Sequence, residues 1–572
     1  MHFPLRLQAL RHSKRPPETS AQATNRVRAA QSPGVLVLSI ALWLATACNW
    51  PLWRALTDSG APGATPHGWV FLCAFGLVVA AGNAAVLTLF AWRWTLKPAG
   101  TVFILFAAFG AYFMLSYGIA IDASMLINVF QTDVRESRDL MSWRMVATVL
   151  ALALPPLWWL WRTPLDHTSN LRQMGRNAAL LLACIGVMVV SVMLVFQEFS
   201  STMRNQPQLR YLINPLNTVY ALGNIAARPL RMDTRTLLPL GRDAKLGASY
   251  TAQVKPPLLV LVVGETGRSG NFGLNGYTRD TTPRLSARKD LASARNAWSC
   301  GTSTATALPC MFSNLGKNGF ESRKSNSENL LDVLQHAGLA VLWLDNQSGC
   351  KGICARVPSA STTALQDPKL CSGGECLDPI LLADLDERLA ALPAEQRARG
   401  TVVVLHQMGS HGPAYSRRSE QALKKFQPEC QSTALQTCTQ AQVVNAYDNS
   451  IVETDAFLGA TLQWLDRQQS QAETAMIYVS DHGESLGENN IYLHGLPYSI
   501  APDVQKHVPW ITWLSPAMQA RVGVRTDCLQ RDLADRHITQ DDYFHSVLGL
   551  MDVQTTAYQG ERDLFRSCRT PS

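Results

Sequence analysis

Five apolar runs fill the chain before residue 200, at 35–56, 69–92, 101–121, 146–161 and 177–197. They are too continuous to be the one-sided stripes of helices on a globule. A helix of about 20 apolar residues crosses the hydrocarbon core, so these runs commit the first part of the chain to a bilayer as five spans. The fourth, VATVLALALPPLWWLW, is the shortest and carries Pro155 and Pro156, so it should kink if it crosses. The tryptophans at its end suit a membrane–water interface. At 47% hydrophobic and 16% charged residues, the chain is also low in charge for a soluble protein.

Lys and Arg in the short connections set the orientation. Arg6, Arg11, Lys14, Arg15, Arg26 and Arg28 precede the first run, Arg93 and Lys97 follow the second, and Arg162, Arg172 and Arg176 follow the fourth. Those sides read as cytoplasmic; the first connection, TDSGAPGATPHG, holds no Lys or Arg, while the third is mixed. Five crossings then place everything after residue 197 outside. The tail is too long, and a cleavage site too poorly marked, for a removed signal peptide. The expected organisation is a basic tail at 1–34, a membrane domain at 35–197, an amphipathic bridge at 198–255 and a catalytic domain at 256–560.

Cysteine usage tests that placement, because disulfides persist where the compartment oxidises. Of 13 cysteines, Cys48, Cys73 and Cys184 lie in apolar runs. Close pairs follow outside: Cys300 and Cys310, Cys350 and Cys354, Cys371 and Cys376, Cys430 and Cys438, with Cys528 and Cys568 left over. Local disulfides are the expectation. A zinc ribbon is disfavoured, since no C-x2-C pair occurs.

From 256 the pattern changes to apolar strands followed by turn residues: LLVLVVGET (258–266), VLWLDN (341–346), TVVVLHQ (401–407) and AMIYVSDHG (475–483), with helical stretches at 328–337 and 441–468 between them. Nearly continuous apolar strands alternating with helices imply an α/β domain whose largely parallel sheet is covered on both faces. In such sheets ligands bind beyond the carboxyl ends of the strands.

Those ends carry chemistry. Glu265 closes the first strand, and Asp481 and His482 close the last. A carboxylate from one and a carboxylate with an imidazole from the other can converge on one cation, although each alone also suits a turn or helix cap. Between them lies SCGTSTATALPC, a hydroxyl-rich segment flanked by Cys300 and Cys310. A hydroxyl becomes a nucleophile when a base or metal lowers the cost of losing its proton. Chemistry alone leaves Thr302, Ser303, Thr304 and Thr306 as equals. His411 and His494 follow the strands in loops, while His406, on a strand, reads as a packed side chain.

Together, GETGRSGNFGLNGYTRDTTP, CGTSTATALPCMFS, LHQMGSHGPAY, NAYDNSIVETD and SDHGESLGENNIYLHG resemble the lipid A phosphoethanolamine transferases of polymyxin resistance. The resemblance implies an alkaline-phosphatase-like periplasmic domain on a five-span α-helical membrane domain in the inner membrane. It implies zinc ligands at Glu265, Thr304, Asp481 and His482, with Thr304 also taking up the phosphoethanolamine. His411 and His494 match histidines beside the transferred phosphate, and one or the other supplies the proton for the leaving alcohol. Ser348 and Lys351, in DNQSGCKG, match substrate-pocket residues, and Gln347 stands where relatives often have Asn. Asn128 and Glu136 match residues lining the lipid headgroup path. The implied partners are phosphatidylethanolamine as donor, lipid A as acceptor and the inner membrane, with neither nucleic acid nor an obligate protein partner.

Three other functions compete with this reading. One is a related phosphoethanolamine or phosphoglycerol transferase with another acceptor. Another is a non-catalytic membrane scaffold, which predicts a broken ligand set where every matched position is present. A transporter is disfavoured, because the spans are few and none carries a charge in its middle.

Overall fold

A computed structural model describes residues 30–570, apart from 59–65, 132–133, 167, 252, 363–364 and 366. The basic residues from Arg6 to Arg28 and most of the first connection lie outside the described residues. Five helices are long and apolar enough to cross a membrane: Pro33–Asp58, Pro66–Thr88, Leu96–Tyr117, Trp143–Arg162 and Asn170–Leu194.

Two features of this bundle answer the rule that buried backbone groups in lipid must find partners. The first span is interrupted by a 3-10 turn at Ala47–Asn49. There the buried Asn49 amide donates to the carbonyls of Leu44 and Asn214, and its oxygen accepts from Asn214 N at 2.9 Å. Asn214 Nδ2 also donates to the Ala107 carbonyl at 2.7 Å, tying the third span to this network. The fourth span runs as one helix through Pro155 and Pro156. Pro156 cannot donate to the carbonyl of Leu152, and the indole Nε1 of Trp43, on the first span, donates to that carbonyl at 3.0 Å instead. The helix is therefore supported across its prolines by a neighbour.

Beyond the membrane part lies an eight-stranded sheet. In chain order its strands are β1 (Pro257–Gly264), β2 (Leu291–Trp298), β3 (Ala340–Asp345), β4 (Ser359–Ser361), β5 (Thr401–His406), β6 (Glu473–Ser480), β7 (His507–Leu514) and β8 (Ile538–Thr539). The spatial order is β8-β2-β7-β6-β1-β5-β3-β4. All pairings are parallel except those of β7, which runs against both neighbours. Every residue of β1 is buried. Leu259, Leu261 and Val263 pack into one core, while Leu258, Val260 and Val262 pack into another on the opposite face.

Two long strands depart from an apolar-run reading. LASARNAW, β2, is only partly buried and has no continuous apolar stretch. HVPWITWL, β7, contains Pro509, which argues against a central strand. The proline is accommodated because the pairing with β2 shifts register between Val508 and Trp510, a bulge in which no ladder donor is required.

The two parts of the chain are packed together. Tyr112, Tyr117 and Met145 from the membrane helices join one face of the sheet core. Asp139 accepts from Arg417 at 2.7 Å. The helix ending at Tyr117 is capped by Gly118 at φ 67°, where a Cβ would lie 2.8 Å from the Asn490 carbonyl oxygen, so the close approach needs glycine.

Candidate active site

β1 and β6 are adjacent and in register, with Gly264 opposite Ser480. The residues that follow them, Glu265, Asp481 and His482, are therefore brought together, and one ligand atom from each lies within 4.8 Å of the others. All three are buried. Their orientation is set by backbone groups. Asp481 Oδ1 accepts from His482 N at 2.7 Å and from Thr266 N at 3.2 Å. Thr266 pays for this with a left-handed φ of 53° and is held by Tyr447 Oη, which donates to its carbonyl at 2.6 Å. His482 Nδ1 lies 2.8 Å from the Gly483 carbonyl, which selects the tautomer whose Nε2 lone pair faces the carboxylates.

Thr304 completes the cluster from the start of the helix Thr304–Met311. Its hydroxyl donates to Glu265 Oε2 at 2.9 Å and lies 3.4 Å from His482 Nε2. Of the four candidate hydroxyls, Thr302 is committed to the Leu496 carbonyl at 2.6 Å, and Ser303 donates to Thr306 at 3.4 Å. The Cys300–Cys310 disulfide brackets the segment. All four expected local disulfides are present, and Cys528 is joined to Cys568.

The donor set suits a divalent cation: two carboxylates, an imidazole nitrogen and a hydroxyl. Asp481 Oδ2 is buried with no hydrogen-bond donor among the described residues, a costly arrangement for a carboxylate oxygen unless a cation meets it. Burial pushes His482 below its ordinary pKa, against the raising influence of Asp481, and so favours the neutral ring that a metal requires.

His494 and His411 stand beside this cluster. The His494 ring centroid is 4.3 Å from that of His482 and 5.7 Å from that of His411. His494 Nδ1 is 2.8 Å from Glu484 Oε2, and Glu484 Oε1 accepts from Tyr415 Oη at 2.6 Å. Burial foremost, then the charges of His494, Arg418, His482 and Lys351, holds His411 well below the usual histidine range.

Ser348 and Lys351 reach the cluster through Gln347. Lys351 Nζ donates to Ser348 Oγ at 2.9 Å, Ser348 Oγ to Gln347 Oε1 at 2.6 Å, and Gln347 Nε2 to Glu265 Oε2 at 3.3 Å. The longer Gln side chain thus keeps a contact with the cluster. Asn128 lies on the helix Ala123–Gln131, which packs against the helix Thr304–Met311. Glu136 falls within the helix Val134–Leu140, and its side chain lies outside the described residues.

Two contributors have no signature in the chain. Glu484 is one acid among several in its window. Gln540 is buried, donates to the carbonyls of Ser480 and Asp481 at 2.8 Å each, and accepts from Cys300 N at 2.7 Å, bracing the strand end against the segment that carries Thr304.

The sulfatase family model matches residues 257–553, and the family described as phosphoethanolamine transferase EptA/EptB matches residues 79–230. The phosphoethanolamine transferase EptA of Escherichia coli K12 is 40% identical over 489 residues, covering 85% of this chain and 88% of that protein. The phosphatidylethanolamine transferase Mcr-1 of Escherichia coli is 34% identical over 497 residues, covering 85% of this chain and 90% of that protein. Among solved structures, the integral membrane lipooligosaccharide phosphoethanolamine transferase A of Neisseria meningitidis superposes with a TM-score of 0.89 at 33% identity, over 95% of this chain and 100% of that one. With five apolar helices ahead of a sulfatase-type periplasmic domain, the chain belongs to the EptA family of inner-membrane phosphoethanolamine transferases.

Proposed function

We propose that this protein moves phosphoethanolamine from phosphatidylethanolamine to a phosphate of lipid A through a covalent Thr304 intermediate, with zinc held by Glu265, Thr304, Asp481 and His482. The observation that carries this reading is the placement of Thr304, the one hydroxyl of the four that touches both Glu265 and His482. The names of the relatives support the donor and the acceptor class: Mcr-1 as a phosphatidylethanolamine transferase, the Neisseria protein as a lipooligosaccharide phosphoethanolamine transferase. Masking lipid A phosphates with a cationic group lowers surface negative charge, and polymyxin resistance follows. The division into a tail at 1–34, a membrane domain at 35–197, a bridge at 198–255 and a catalytic domain at 256–560 belongs to the same reading.

Zinc, when bound, supplies positive charge that eases ionisation of the hydroxyl and offsets the phosphate oxygens. The chain's own groups do the rest. Thr304 Oγ1 attacks the donor phosphorus as its proton passes to the Glu265 carboxylate, and the bond from phosphorus to the glycerol oxygen breaks. His494 gives a proton to the departing diacylglycerol, with Glu484 as the counter-charge on its other nitrogen. His411, whose ring centroid stands 5.7 Å from that of His494, borders the same phosphate and is the alternative source of that proton. In the second step a P–OH oxygen of the acceptor phosphate gives its proton to His494 and attacks the same phosphorus, and Thr304 Oγ1 leaves and recovers its proton from Glu265. Lys351 and Ser348 line the approach, with Asn128 and Glu136 on the membrane side. Both substrates are lipids, so the spans hold the site at the surface where they reside.

Intact-mass analysis of the protein incubated with phosphatidylethanolamine alone should show one phosphoethanolamine adduct on the 299–310 segment, absent in Thr304→Ala. That variant should stay folded, since the lost hydrogen bond is worth about 1 kcal/mol, and both diacylglycerol release and lipid A modification should stop. An adduct on Thr302 or Ser303, or near-normal transfer by Thr304→Ala, overturns the assignment.

A further inference from the structure

The wall behind Glu265 is built around one buried carboxylate that the steps above do not use. Asp378, 4% exposed, opens a 3-10 turn at Asp378–Leu382. Its Oδ1 accepts from Met408 N at 2.7 Å and Asn346 Nδ2 at 2.9 Å. Its Oδ2 accepts from Gly409 N at 2.9 Å and Gln407 Nε2 at 3.1 Å. All four partners are donors, so the carboxyl serves as an anion, although burial pulls the other way.

Those donors lie just past the ends of β5 and β3, the two strands that follow β1 along one side of the sheet, and Glu265 stands at the end of β1. Ser410 N donates to the Glu265 carbonyl at 3.1 Å. Gly409 sits at φ 54°, and a Cβ there would lie 2.6 Å from the Glu265 carbonyl oxygen and 3.0 Å from the Glu265 Cβ. The Gln407–Ser410 turn is thus pressed against the backbone of Glu265, and Asp378 holds the turn in that shape. Asn346, one strand further along, is followed by Gln347, which touches Glu265 Oε2.

We propose that Asp378 is a positioning residue for Glu265, fixing the carboxylate in the geometry the metal cluster needs. The inference rests on the reading of Glu265 as a metal ligand. Outer partners of this kind change metal affinity or activity by roughly 10- to 100-fold when removed.

The test uses the full-length protein in detergent and zinc alone, titrated against a competing chelator. Asp378→Asn keeps the shape but turns an NH2 group toward backbone donors. It should weaken zinc binding by roughly 10- to 100-fold and lower kcat with little change in KM for phosphatidylethanolamine, at a temperature where circular dichroism shows both proteins folded. In a Glu265→Ala background the same substitution should change zinc affinity by less than about two-fold, because the residue acts through Glu265. Wild-type zinc affinity in the folded D378N protein overturns the inference, as does an equal loss in both backgrounds. Wild-type protein that holds no zinc overturns the metal reading and this inference with it. Should the D378N protein fail to fold, Gln407→Leu, which removes one donor, carries the test: weakened zinc retention supports the inference and unchanged retention overturns it.

Discussion

At the scale of single residues, burial decides which groups carry charge. Glu453, on the helix Gln440–Gln468, has its carboxyl pushed up to about 7, chiefly by burial, with Asp378 and Glu420 adding and a hydrogen bond from Glu420 N opposing. From the ordinary value of 4.5 up to about 7, the folded chain holds a proton that the unfolded chain has released. Stability therefore falls as pH rises through that window and stays lower above it. Glu453→Gln preserves the acceptor and removes the charge. It should stabilise the protein by about 3 kcal/mol at pH 8 and by much less at pH 5. Melting curves at the two pH values check this, and an equal effect at both would show that ionisation is not the cause.

At the scale of elements, the disulfides differ in what they constrain. Cys528–Cys568 closes a 40-residue separation, joining the helix Thr526–Leu533 to the end of the chain, whereas Cys350–Cys354 closes one of 4. In the chain-entropy account, the long closure stabilises by about 4 kcal/mol and the short one by about 2 kcal/mol. Replacing both members of each pair by Ser should therefore lower the melting temperature more for Cys528 and Cys568. A larger drop for Cys350 and Cys354 would mean that local geometry near Lys351 outweighs loop entropy.

At the scale of the whole molecule, function depends on how the membrane helices seat against the catalytic domain. Asp139 is buried between Arg417 and Arg418, at 2.7 and 3.9 Å, and Lys351 Nζ lies 3.5 Å from the Gln131 carbonyl. Arg417 is largely exposed, so solvent screens its pairing and the contact is worth about 1 kcal/mol. Asp139→Ala should loosen the seating by a factor of roughly 5. Limited proteolysis of the 198–255 bridge should speed up accordingly, while the melting of the catalytic domain stays in place. Unchanged cleavage would show that the apolar contacts of Tyr112 and Tyr117 suffice.

Much of this architecture is local enough to be legible in the chain. A run of about 20 apolar residues has one inexpensive environment, so the five helices follow from composition in a window. Buried parallel strands are continuous apolar words, so β1, β3, β5 and β6, and the placing of Glu265, Asp481 and His482 at their ends, could be read directly. β2 and β7 could not, because one is only half-buried and the other hides Pro509 in a bulge that exists only once its partner is paired. The same limit applies within the site. Which of four neighbouring hydroxyls faces the cluster depends on Glu265, 39 positions away, and the bracing by Gln540 spans 240 positions. Asp378, Glu484 and Gln347 are ordinary polar residues in sequence. Tertiary structure alone buries them and aligns their partners, because a buried polar group is held by whichever distant donors and acceptors the fold brings within 3 Å.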